Sequence, residues 1–439
     1  MAEVSSYSGS ELHGRAPGVY SQEIAPSHGA VSATGVPIFI GFAEIRRPIL
    51  EKGNNRAPLL RMTSWEQFEQ SIGPMAPGSF LGYAVRGFFE NGGQRCVVVP
   101  LRLKEAQLKL MEDQLRLDED QLSKNQDQSC RTALTDVLEN LFRKDANGLR
   151  AVLSDIDDTD LVCVPDIMIK FIRVSPETVF GLQQTVLEYC ADMGERFAIL
   201  DAVPASAATS EKNIETVVLQ WRKLTSLDGA LYFPWVHVKS LSGSGEQWVP
   251  PSGHIAGVYA RNDAQVGFHK APANEILEGV LDLQMNVSAA IQGDLNAVGV
   301  NCIGSFARRG IRVWGARTLS GHSNWRYINV RRIFLTLVRW IEHNMQDLVF
   351  EPNGPSLWER VRDRVGGFCY ELFARGALKG RDPGEAYFVK CDAETNPLDV
   401  RETGQLICDI GLAPLSPAEF ILIRITQTAA GATVTLPTA

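Results

Sequence analysis

Five short runs of this chain are apolar almost without interruption: VPIFIGFAE (36–44), QRCVVVPLRL (94–103), DLVCVPD (160–166), RFAIL (196–200) and ALYFPWVHV (230–238). A strand with one wet face alternates apolar and polar residues, whereas a strand apolar at successive positions has to be covered on both faces. Stretches of helical period lie between the runs. SWEQFEQSIG (64–73) opens on Ser64 as N-cap, and SFLGYAVRGFFENGG (79–93) closes on Gly92 and Gly93. SPETVFGLQQTVLEYCADMG (175–194) has Ser175 at the cap and Pro176 at the first helical position, and IETVVLQWRKL (214–224) follows. The alternation predicts an α/β fold: a parallel sheet with helices on both faces. At 439 residues the chain is too long for one ordinary core, so more than one domain is expected.

A third region starts near residue 308. RRGIRVWGARTLS (308–320) reads as strand and turn, and NVRRIFLTLVRWIEH (329–343) as a helix with Val330, Phe334, Leu337 and Ile341 on one arc. Arg331, Arg332 and Arg339 share another face with His343 and Glu342, which predicts an outward basic stripe on a core helix. In EPNGPSLWERVRDRVGGFCYELFARGAL (351–378), Ser356 is the expected cap and Trp358, Val361, Val365, Phe368 and Leu372 share a face. Arg360, Arg362 and Arg364 offer a second basic row there. Residues 301–380 hold 13 Lys+Arg against 6 Asp+Glu in a chain of net charge −8, an asymmetry that points to an electrostatic partner. Strands are predicted at AYFVKCD (386–392), GQLICDIGLAP (404–414) and AEFILIRITQT (418–428), before a small, polar tail. Residues 1–20 are small and polar without helical period, as in a disordered terminus.

Residues 107–127 repeat one heptad three times: QLKLMED, QLRLDED, QLSKNQD. Leu108, Leu115 and Leu122 form one stripe, Leu110 and Leu117 lie nearly opposite, and Asp118 breaks a coiled-coil series. The expectation is a charged, mostly solvated helical insertion at about 104–128.

No constellation for catalysis emerges. The chain has no P-loop, no complete G-x-G-x-x-G between strand and helix and no G-x-S-x-G elbow. Asp155, Asp157, Asp158 and Asp160 in SDIDDTD (154–160) lack the glycine and glutamate of an EF-hand loop, and read as a solvated turn. His254, Tyr259, Arg261 and Asp263 in PSGHIAGVYARND (251–263) form a polar cluster without a nucleophile–base pair, so a structural role is expected. The eight cysteines include no C-x-x-C and the seven histidines no H-E-x-x-H, so buried reduced thiols, no metal and no cofactor are expected. Hydrophobic content of 45% and charged content of 21% are those of a soluble globular chain. With neither a long apolar span nor a signal-like start, synthesis and folding in a cytoplasm, without membrane insertion, are expected.

Several long motifs nevertheless resemble one family. NAVGVNCIGSFARRGIRVWGARTLS (296–320), WRYINVRRIF (325–334), FEPNGPSLWERVR (350–362), FVKCD (388–392) and IGLAPLSPAEFILIRI (410–425) look like the C-terminal part of contractile tail sheath proteins. APGVYSQEI (16–24), GFAE (41–44), FFENGGQRCVVV (88–99), VPPSGHIAGVYARND (249–263) and KAPANEIL (270–277) resemble the same family in order, while the heptad insertion matches no pattern in it. The resemblance implies a multi-domain structural subunit without enzymatic activity, with an α+β inner domain beside a rigid tube and an α/β outer domain. It divides the chain into an N-terminal arm (1–20), a central and outer region (21–307), an inner, tube-facing domain (308–417) and a C-terminal strand and arm (418–439).

The partners so implied are further copies in rings or a helix, an inner tube protein, and baseplate and tail-terminator or cap proteins. The setting is a phage tail or an injection particle, assembled in a bacterial cytoplasm and then released or membrane-anchored. The arms would add strands to neighbouring subunits through Pro17, Gly18, Val19 and Tyr20 at one end and Phe420, Ile421, Leu422, Ile423 and Ile425 at the other. Arg331, Arg332, Arg339, Arg360 and Arg364 would face the tube. Two other readings stay open on residues alone: an α/β enzyme, favoured by the alternation, and a nucleic-acid-binding protein using the 301–380 basic region. Against the second stand a pI near 5.5 and the lack of a binding motif.

Overall fold

The computed structural model describes residues 33–45, 59–103, 105–117, 121–122, 129–142, 153, 156–206, 209–419, 424–428 and 431–435. The apolar runs become β1 (Pro37–Ile45), β4 (Cys96–Leu101), β5 (Leu161–Cys163), β6 (Phe197–Asp201) and β7 (Gly229–Phe233), with short β2 (Leu60–Met62) and β3 (Ile72–Met75) between them. Together with β11 (Val300–Phe306) they give six parallel strands in the order β11-β7-β6-β5-β1-β4. Every residue of β4, β5, β6 and β7 is buried, as strands covered on both faces must be. Antiparallel strands finish the margins: β12 (Gly310–Trp314) on β11, β2 on β4 and β3 on β1.

The longer helices among the described residues are α1 (Trp65–Ser71), α2 (Leu81–Glu90), α3 (Glu105–Leu115), α4 (Ser129–Phe142), α5 (Pro176–Met193), α6 (Ser210–Lys223), α7 (Ser252–Gln265), α8 (Ala289–Val298), α9 (Ile328–Asn344) and α10 (Pro355–Ala374). The Ser64 hydroxyl accepts from the Gln67 N–H and caps α1. Ser175 occupies the cap position of α5 but makes no side-chain cap bond. Helices α2 and α7 pack on each other, α2 against β1 and α7 against β5 and β6, while α5, α6 and α8 form a second set against β6 and β11. The α2–α7 contact is close because α7 turns Gly253 and Gly257 toward it: a Cβ on Gly253 would lie 2.2 Å from the Ala84 carbonyl oxygen, and one on Gly257 2.5 Å from that of Phe88.

Several expectations change. The run 230–238 is two strands: past Phe233 the chain leaves the large sheet, and β8 (Val236–Lys239) pairs with β9 (Glu246–Val249) and β10 (Val280–Leu283). Residues 308–320 do not open the last domain, since β12 is an edge strand of the large sheet; the Asn274 and Leu277 N–H groups reach its outer margin through the Val313 and Ile311 carbonyls, at 2.8 and 2.9 Å. The heptad segment is docked. Met111 and Leu122 are buried, and Leu108, Leu115 and Leu117 pack against the main core, because Leu108, Met111 and Leu115 recur at helical spacing. Residues 104, 118–120 and 123–128 of that insertion lie outside the described residues.

A second core holds Ile333, Leu337, Trp340, Trp358, Val361, Val365, Phe368 and Leu372, with Trp340 stacked on Phe368 at 4.7 Å. The α10 face read from the sequence is the buried one, but Gly354 is its N-cap, with Pro355 first and Ser356 one step inside, so proline and not serine starts the helix. Helix α9 belongs to both cores: Ile328 and Leu335 to the first, Ile333, Leu337 and Trp340 to the second. The last elements are two antiparallel pairs, β13 (Tyr387–Lys390) with β14 (Asp409–Leu412) and β15 (Arg424–Thr428) with β16 (Gly431–Thr435). The small, polar tail thus supplies a strand. Among the described residues no helix is long and apolar enough to cross a membrane.

Candidate assembly interface

The basic stripe of α9 points inward. Arg332 is 2% exposed, and its guanidinium meets the Asp263 carboxylate at 2.8 and 2.5 Å and Asp160 at 2.9 Å. It also lies over the Tyr259 ring at 5.1 Å, and the Tyr259 hydroxyl shares a 2.8 Å hydrogen bond with that of Tyr232. Two carboxylates hold the Arg332 pKa above its ordinary range in spite of burial. Arg331 bonds Asp228 at 2.6 Å and lies over Trp325. Arg339 is fully buried: one Nη donates to the Ala33 carbonyl at 3.0 Å, and its Nε and other Nη have no hydrogen-bond partner among the described residues. The expectation that Arg331, Arg332 and Arg339 form an outward face therefore fails. The helix lies between two cores: Arg331 and Arg332 answer acids brought from distant parts of the chain, and Arg339 a distant backbone carbonyl.

Arg360 and Arg364 on α10 do reach the surface, with side chains 44% and 29% exposed, but each is paired, with Glu351 at 3.4 Å and Asp347 at 2.5 Å. They give a mixed-charge row and not a bare cationic one.

Asp160, the last acid of the 154–160 run, accepts from the N–H groups of Gly35 (3.0 Å) and Val36 (2.7 Å) as well as from Arg332. Asp158 lies 3.6 Å from Arg61, and Asp155 falls outside the described residues. Among the described residues no three His, Cys, Asp or Glu side chains converge as metal ligands. His254 is buried, and burial together with the Arg86 charge pushes its pKa down to about 4, so the ring is neutral. Arg261 donates to the Asn91 and Ile276 carbonyls.

Open α/β sheets bind ligands beyond the carboxyl ends of their strands, where the strand order reverses. Here that point lies between β1 and β5, and Asp166 fills it, accepting from the Phe42 and Phe80 N–H groups at 2.6 Å each and from the Ser79 hydroxyl at 2.7 Å. Asp201, at the end of β6, accepts from the Ser252 N–H at 2.7 Å. Burial, outweighing those bonds, pushes Asp166 up to about 6 and Asp201 up to about 7. The folded state then holds protons that the unfolded chain releases near pH 4. Their contribution to stability is complete below about pH 4, shrinks as pH rises and is gone above about pH 7, with a slope of up to ~1.4 kcal/mol per pH unit for one group. Asp201→Asn removes one such slope, so its Tm should rise relative to the unaltered chain between pH 5 and pH 8 in thermal unfolding scans.

The backbone is tied beside two stretches that lie outside the described residues, 1–32 and 420–423. At the N-terminal side Arg339 holds Ala33, Asp160 holds Gly35 and Val36, and Gly35 takes the left-handed conformation (φ +73°) with Ala260 too close for a side chain. At the C-terminal side Arg317 clasps the Glu419 carboxylate at 2.5 and 3.0 Å and donates to the Asn296 carbonyl, while the Asn329 amide donates to the Leu415 carbonyl. A groove of about 440 Å³ runs beside this exit, lined by Ala271, Ala273, Trp314, Ala316 and Pro417 among others. Sequence reasoning did not single out Arg317, Asn329 or Glu419, although each lies within a motif carrying the resemblance. Pro17, Gly18, Val19, Tyr20, Phe420, Ile421, Leu422 and Ile423 lie outside the described residues, and Ile425 sits in β15 opposite Val434. The β13–β14 and β15–β16 pairs each have two strands, so the outer edges of both pairs lack a strand partner among the described residues.

Tied exits and unclosed edges on a two-core α/β body place the chain among structural assembly proteins. It belongs to the phage tail sheath family: residues 175–319 match the phage tail sheath protein central domain and residues 320–428 the phage tail sheath C-terminal domain. Similar sequences include the tail sheath proteins of Salmonella phage ViI, 26% identical over 52% of this chain and 38% of that protein, and of Burkholderia phage BcepMu, 28% identical over 43% and 40%. The chain thus matches about two fifths of the length of these curated relatives. The contracted helical sheath of the anti-feeding prophage is similar across 94% of this chain and 99% of that one, at 30% identity and a TM-score of 0.66. The contracted PVC sheath complex of an extracellular contractile injection system is similar at 28% identity and a TM-score of 0.64, over 98% and 99%.

Proposed function

We propose that the chain is the repeating subunit of a contractile sheath, polymerising with its own copies around an inner tube in a phage tail or an extracellular injection particle. The observation that carries the reading is the β13–β14 pair, whose two outer edges have no further strand among the described residues, on a body fastened at Ala33 and Glu419. Segments 1–20 and 418–439 supply strands to that pair in adjoining copies, which satisfies their backbone groups and buries their apolar residues. Exchange of this head-to-tail kind is heterologous and propagates instead of closing. The second core, from α9 to about residue 415, is the part beside the tube, and Arg360 and Arg364 are its candidate contacts. Exposed pairs of that sort contribute about 0–1 kcal/mol each, weak enough for the sheath to slide off the tube. Work comes from the free-energy difference between two packings of the same subunits. Baseplate and terminator proteins bound the array, which assembles in the bacterial cytoplasm.

Deleting residues 420–439 tests this. The truncated chain should keep its helical signal and cooperative unfolding, yet form no rings or tubes in negative-stain images. Arg317→Ala, which frees Glu419, should reduce assembly in the same direction. Truncated chains that polymerise like the full chain would overturn the reading.

A further inference from the structure

The cysteines described are free, and six of the seven are buried; Cys408 is the half-exposed one. It is also one of two whose thiols meet. Strands β13 and β14 end at the facing residues Lys390 and Asp409, so the next pair along the register is Cys391 and Cys408. Residues directly opposite in an antiparallel pair have Cα atoms about 4.5–5.5 Å apart, inside the span that a disulfide bridges. The two thiols hydrogen-bond to each other, and the buried Asn396 amide holds the arrangement: its Nδ2 donates to the Cys391 sulfur at 3.8 Å and to the Ile407 carbonyl at 3.0 Å, and its Oδ1 accepts from the Ile407 N–H at 2.7 Å. Residue 407 is thereby held beside residue 391, and residue 408 with it.

Access comes from one side. Cys408 lines an open groove of about 460 Å³ between the end of α9, α10 and residues 404–410, among Met345, Leu357, Val361 and Leu406. Cys391 is 1% exposed.

We propose that Cys391 and Cys408 are a built oxidation site, which a small-molecule disulfide such as oxidised glutathione converts into a cross-strand disulfide at the end of the β13–β14 pair. The Cys408 thiolate, reached through the groove, attacks the small disulfide, forming a mixed disulfide and releasing one small thiolate. The Cys391 thiolate then attacks the Cys408 sulfur and displaces the second. Two S–H bonds are lost, one S–S bond forms, two protons leave, and the two electrons reduce the small disulfide to two thiols. Burial and the neighbouring Cys391 push the Cys408 thiol up to about 12, so the first exchange is slow at neutral pH and the pair stays reduced in a cytoplasm. In an oxidising medium the same pair closes. The site depends only on the folded chain; the sheath reading above adds that the staple would lie across a sheet that receives neighbouring strands.

The test uses the full-length native chain. It is incubated with oxidised glutathione at mildly alkaline pH, quenched with N-ethylmaleimide, digested without reductant and analysed by mass spectrometry. The expected result is one peptide pair joined through Cys391 and Cys408, about 2 Da lighter than the sum of its parts, while the buried thiols are alkylated only after denaturation. Cys391→Ser should leave Cys408 carrying glutathione, and Cys369→Ser, at a buried thiol of α10, should leave the bridge intact. Retention of both thiols in the folded protein, pairing of Cys408 with Cys369, or a bridge that forms only in denaturant would each overturn the proposal, and the first of these is read on the unaltered chain. A chain that forms the bridge but makes no sheath would retain this site and remove only the reading of its consequence.

Discussion

Arg332→Ala should cost the subunit about 3–5 kcal/mol, read as a lower denaturation midpoint at unchanged slope. The guanidinium is 2% exposed and lies between Asp263 and Asp160, the one in the last turn of α7 and the other just before β5 and clamping the entry to β1. Removing it leaves two carboxylates facing each other in a site that water does not reach. Burial already raises the Asp263 pKa, so the variant should take up protons on folding and recover part of its stability as pH falls. A combined replacement of Arg332, Asp160 and Asp263 by apolar residues of similar volume should be far milder than the single change, because no unpaired charge remains. The exposed Arg360 sets the other limit: its alanine variant should lie within about 1 kcal/mol of the unaltered chain. If Arg332→Ala costs no more than that, the buried ion cluster is not what joins α9 to the sheet.

The second large effect involves no charge. Gly253→Ala adds one methyl group where the backbone of α2 leaves no room, 2.2 Å from the Ala84 oxygen and 2.3 Å from its Cα. Neither atom can turn aside as a side-chain tip would, so the two helices must separate and the contacts around Val85, Phe88 and Ile255 loosen together. A cost of about 3 kcal/mol, at the upper end for overpacking, is expected from chemical denaturation. Gly181 in α5 gives the opposite sign: a Cβ there meets nothing within 4 Å, so Gly181→Ala should stabilise by about 0.4–1 kcal/mol through the unfolded chain alone. Equal effects at the two glycines would mean that the α2–α7 contact is looser than the structure places it.

Much of this body could be read from the chain. Continuous apolar runs at 94–103 and 196–200 imply two-faced burial, and both are fully buried strands of the parallel set. The α10 face from Trp358 to Leu372 followed from helical spacing alone. What could not be read depends on residues far away along the chain. Arginines on α9 look solvated by their own periodicity, yet their partners are Asp228, Asp160 and Asp263, 103, 172 and 69 residues distant. The same distance hid the role of Asp160, which as part of an acidic run looks like a surface turn. A run such as 230–238 carries no mark of the point where it passes from one sheet to another. Residues 431–435, small and polar, become a strand only because β15 lies opposite. The assembly surface is the least legible part of all, since the residues at the two exits, Arg317 and Arg339, look like any other arginines until their partners Glu419 and Ala33 are placed.

A helix set with its flanks in two different cores cannot tilt in one without prising open the other. The body around α9 therefore behaves as a single stiff lever with no joint at its middle. In the proposed array the clasps at Ala33 and Glu419 would therefore set how far this lever stands from the copies on either side.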